Sequence, residues 1–168
     1  MSFTIYQASV PYLLRTLGAL SKILDKAAAH CEARKIDPSV LVNYRLAADM
    51  HPLSRQIQIA TDQVKGGLGR LAGVEIPSWA DTETTFDQLQ ARIKKAQDFM
   101  ATIKPEQIDG TEDKKIVLKI GPQEMPFRGQ DFLINFSLPN FYFHVTTAFA
   151  ILRHNGVEIG KRDFMGAA

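Results

Sequence analysis

A histidine stands inside the apolar face of the most regular helical run in the chain, and that run constrains everything packed around it. From Pro139 to Gly156, the residues Phe141, His144, Val145, Ala148, Phe149 and Leu152 recur at i, i+3, i+4, i+7, i+8 and i+11, one stripe of an α-helix. A stripe of this kind has to be buried against other helices. An imidazole within it needs a polar partner once water is excluded. Asn140 lies one turn earlier and points roughly the same way. Gly156 closes the run as a C′ glycine, with Arg153 and His154 in the last turn to complement the helix dipole. The stretch predicts a bundle with a polar spot inside it.

The rest of the chain supplies the partners for such a bundle. Val10, Leu13, Leu14, Leu17, Leu20, Leu24, Ala27, Ala28 and Cys31 predict a first helix over about residues 3–32, kinked or restarted at Pro11. Cys31 reads as a small buried hydrophobe, and His30 as a solvated or dipole-complementing residue at the helix end. Asp37 is a plausible N-cap and Pro38 suits a first helical position, so a second helix is expected to run to about Ala72. Its stripe changes phase at Pro52, from Val40, Tyr44, Ala47, Ala48 and His51 to Leu53, Ile57, Ala60, Val64, Leu68 and Leu71. A kink is expected there, and periodicity alone leaves the direction of His51 open.

Gly73 ends that helix and a long loop follows, in which Trp79 is expected to plug the bundle end, with ligand contact as the lesser reading. Phe86, Leu89, Ile93, Ala96, Met100 and Ile103 define a third helix over about residues 84–103, capped by Thr84 or Thr85, with Lys94 and Lys95 on its solvent face. The period then changes. Lys115 to Ile120 and Glu124 to Arg128, joined by Gly121-Pro122, predict a β-hairpin that must lie on the bundle, since two strands cannot stand alone. Gly129 opens the fourth helix, with a kink expected at Pro139, and the apolar tail from Val157 is expected to return along the surface.

Composition narrows the class. The 168 residues make one domain, 1–168, and their 20 basic and 18 acidic side chains leave a net charge of +2, too balanced for a nucleic-acid or anionic-membrane surface. A single cysteine excludes an intramolecular disulfide and fits a cytoplasmic protein. The N-terminal Met1-Ser2-Phe3-Thr4-Ile5 lacks the basic segment of a secretory leader, and no run reaches the ~18 apolar residues of a membrane span.

Chemistry has few places to sit. His51, Asn140 and His144 form the sharpest set, because imidazoles on two bundle helices can hold a divalent metal. Asp49 and Asp62 are near in sequence as possible further ligands or supports. The alternative is a hydrogen-bonded polar cluster without a metal. Lys65-Gly66-Gly67-Leu68-Gly69 is glycine-rich without phosphate-loop spacing, and nothing local makes Cys31 a nucleophile.

The run from His144 through Leu152-Arg153 to Gly156 resembles the last helix of DinB/YfiT-like proteins, four-helix bundles associated with metal-dependent enzymes, some of them thiol-dependent transferases. The resemblance implies that His51 matches the histidine from helix two and His144 the second of an i, i+4 pair on the last helix. Asn140 stands where the first of that pair would be, and Val145-Thr146-Thr147 replaces Arg-Gly-Gln. Asp49-Met50-His51-Pro52, Leu138-Pro139-Asn140-Phe141-Tyr142-Phe143-His144 and Gly160-Lys161-Arg162-Asp163-Phe164 are similar to a branch of that superfamily known as a domain of unknown function. It implies an all-α, DinB-like four-helix bundle with a crossover connection and a small β-hairpin inserted before the last helix. Two functional readings stay open. One is a hydrolase or thiol-transferase type enzyme on an unidentified small molecule, with Zn, Ni or Mn, or no metal, at an altered His51, Asn140, His144 site. The other is a non-catalytic binding or interaction bundle with the same residues as a structural cluster. A homodimer is expected.

Overall fold

The computed structural model describes residues 3–166; the four terminal residues, including the Met1 and Ser2 of the N-terminal reading above, lie outside the described residues, as does the side chain of Ile120. Helix α1 (Val10–Arg34) follows a turn over residues 5–9, with Pro11 in its first helical turn, so the proline restarts the helix without kinking it. Its stripe from Val10 to Cys31 is buried, except that Leu14 and Ala28 are partly exposed. Burial, then the charge of Asp37, pushes the Cys31 thiol pKa up, which keeps it an inert hydrophobe. Of the two readings of His30, dipole-complementing or solvated, the solvated one does not hold: the residue is half-buried, and its Nε2 has no partner among the described residues.

The second predicted helix is two helices. Asp37 accepts from the Ser39 amide at 2.9 Å and caps α2 (Pro38–Val42), but residues 43–52 are not helical. Helix α3 (Leu53–Ala72) starts afresh with Pro52 as its N-cap, at ψ 166°. Proline has no N–H to continue an earlier helix, and it biases the residue before it, His51, away from helical dihedrals. The expected face of Val40, Tyr44, Ala47, Ala48 and His51 therefore does not form; Val40, Ala47, Ala48 and His51 are all exposed.

Helix α3 is the centre of the fold. It packs against α4 (Phe86–Ala101) on one side and α7 (Leu138–His154) on the other, while α1 packs on α4 and α7. The buried stripes meet in one core that includes Leu24, Ile57, Leu68, Ile93, Phe141 and Leu152. Helix α3 approaches its neighbours closely because of its glycines. A Cβ on Gly67 would sit 2.2 Å from Ser137 Oγ, so the glycine run is a packing device.

The loop between α3 and α4 thus joins two helices that pack together. It is pinned by Arg92, whose side chain is 1% exposed. Arg92 Nε donates to Thr61 Oγ1 (3.1 Å), Nη1 to the Ala80 carbonyl (3.0 Å) and Glu83 (3.1 Å), and Nη2 to Asp62 (2.9 Å) and Asp81 (3.0 Å). All five guanidinium N–H groups are used. Trp79 is half-buried on the flank of α3 and α4, not over the bundle end. The Lys65, Arg92 and Lys95 cations lie 4.3, 5.1 and 5.2 Å from its ring centroid, so cation–π attraction to mid-helix side chains draws it there.

After a short helix α5 (Pro105–Ile108), strands β1 (Lys115–Ile120) and β2 (Gln123–Arg128) pair antiparallel, Lys115 with Arg128 through Ile120 with Gln123. Ile116 and Leu118 face the core, and Phe127 meets Phe132 and Phe136. Gly129, where a Cβ would lie 2.0 Å from the Thr111 carbonyl oxygen, opens α6 (Gly129–Phe132). A π-helical turn, Leu133–Ser137, then leads without a break into α7, which carries Pro139 in its first turn. This widened register accommodates the proline that the sequence marked as a kink. In the tail, Val157 and Ile159 are buried, and α8 (Lys161–Phe164) lies on α1. Lys26 pairs with Asp163 there, and Phe164 packs on Phe149.

Candidate functional site

Helix α7 places Asn140 and His144 on one face, and the segment leading into α3 brings the His51 backbone to Gln56, the partner of His144. His144 is half-buried and its Nδ1 lies 2.7 Å from Gln56 Oε1; Gln56 itself is 1% exposed. The Gln56 Nε2 donates to the His51 carbonyl at 3.0 Å. That bond settles the protons. The reverse amide orientation would set Oε1 against the His51 carbonyl oxygen, so Oε1 faces His144 and accepts from Nδ1–H. Neutral His144 then carries its lone pair on Nε2, which has no protein partner among the described residues.

Burial holds the His144 pKa below its ordinary value, and the positive charges of His51 and Arg55 push it further in the same direction. Arg55 is held by Asp81 across the α3–α4 loop. Asn140 Nδ2 donates to the Phe136 carbonyl at 2.8 Å, in the π-helical turn, which leaves its Oδ1 as the outward acceptor. His51 is exposed on the connecting segment, not inside a helix, and is tied to His144 through its own carbonyl and Gln56. Asp62 is committed to Lys65 at 2.8 Å and Arg92 at 2.9 Å, and Asp49 is exposed.

The donor set consists of two imidazole nitrogens and one amide oxygen. Among the described residues no group of three or more His, Cys, Asp and Glu is placed to hold a metal ion. This set falls short of the four ligands of a closed zinc site. The sequence reading missed Gln56, although it sits three residues after Leu53, at a core position of the stripe. It missed Arg92 in the same way, three residues after Leu89.

Packed helices with a hairpin on one flank and an imidazole–amide cluster between α3 and α7 define a class of helical-bundle domain. Residues 5–165 match a family described as Domain of unknown function (DUF1993). A crystal structure of a DinB family member protein from Shewanella denitrificans is similar at 38% identity, with a TM-score of 0.88 over 98% of this chain and 93% of that one. The chain belongs to the DUF1993 family, a branch of the DinB-like proteins. No curated protein matches the sequence. No helix among the described residues is long and apolar enough to cross a membrane.

Proposed function

We propose that the chain is a DinB-type four-helix bundle, crossed in helix order, whose His51, Asn140 and His144 hold a divalent cation (Zn²⁺, Ni²⁺ or Mn²⁺) in an open site of hydrolase or transferase type. The Gln56 bridge carries this reading. A metal-ligating histidine ordinarily donates its second ring N–H to a fixed acceptor, and His144 does so to a buried amide that is itself immobilised. Because the donors are neutral, a bound cation would keep its full charge, polarising a substrate carbonyl or acidifying bound water. Asn140 Oδ1 and His144 Nε2 lie one turn apart on α7, and Arg55 adds positive charge that suits an anionic part of a substrate.

A second reading has its own observation: the Gln56 bonds to His144 and to the His51 carbonyl are complete without an ion. Metal analysis of untagged protein separates the two. The first reading expects near-stoichiometric metal that is lost in a His51→Ala, His144→Ala double variant. It also expects a melting temperature that rises with added metal, since a ligand at a hundred times its Kd adds about 2.7 kcal/mol. A metal-free protein with no thermal response, whose double variant is only less stable, leaves the structural cluster.

A homodimer is part of the proposal, supported by the exposed Ile134 (52%) and Phe143 (57%) on the continuous α6–α7 helix. Sedimentation as a monomer at micromolar concentration would remove that element.

A further inference from the structure

We draw no further inference here: the strongest candidate, the apolar groove of about 260 Å³ between the N-terminal turn and the α6–α7 helix, along which Phe3 and Ile134 are exposed, is an unpartnered face, and nothing in the structure shows what covers it.

Discussion

Replacing Arg92 with methionine is expected to destabilise the fold by about 3–5 kcal/mol, the range for removing one member of a buried charge network. For a domain of this size that lowers the melting temperature by on the order of 10 °C. Methionine fills much of the same volume, so the loss reports the polar groups left behind more than a cavity. The Thr61 hydroxyl, the Ala80 carbonyl and three carboxylates each lose a bond. Asp62 keeps Lys65, Asp81 keeps Arg55 and Glu83 keeps the Gln58 amide, so the helices stay folded and the loop between them loosens first. Arg92→Lys should recover less than half, since an ammonium has three donors for five acceptors. Although burial opposes it, Asp81 is held below the usual carboxylate pKa by Arg55 and then Arg92. Its contribution is therefore present above about pH 4 and lost as pH falls through the folded-state value. Urea melts and amide exchange over the loop check this. A loss under ~1 kcal/mol would place the network with ordinary surface pairs.

The sequence carried the long stripes well and the polar residues inside them poorly, for one physical reason. Counting apolar letters at helical spacing finds α1, α3, α4 and α7, because burial of those letters drives the packing. The same count discards Gln56 and Arg92, which occupy core positions and are stable there because each polar side-chain atom finds a partner outside its own helix. Those partners are distant in the chain, and no local pattern announces them. Pro52 was ambiguous in another way. A helix-breaking proline allows either a kink or a fresh start, and the bias it places on His51 favours the fresh start seen at Leu53. Pro139 met the opposite outcome because the preceding π-helical turn absorbs it. His144 and Asn140 were legible as a pair at i and i+4; that the His51 backbone carbonyl is linked to His144, with Gln56 between, was not.

That bridge yields the second large effect. Gln56→Leu leaves the His51 carbonyl and the His144 Nδ1–H without partners, at about 1–3 kcal/mol each, for a total of roughly 2–4 kcal/mol in a site that water reaches only in part. Gln56→Glu should do something different. In the native protein the folded-state pKa of His144 lies below the unfolded value of about 6.5. The unfolded chain then takes the proton first, so stability is full above that value and falls as pH drops toward the folded-state pKa. A carboxylate at position 56 would accept from Nδ1–H and favour the imidazolium, raising the folded-state pKa above 6.5. The sign then reverses: stability is gained below pH 6.5 and lost as pH rises through the new value. Melts from pH 5 to 8 on the native chain, Gln56→Glu and His144→Gln read both slopes, with His144→Gln flat in this window. A native slope that survives in His144→Gln would assign it to another group and detach Gln56 from the protonation of the site.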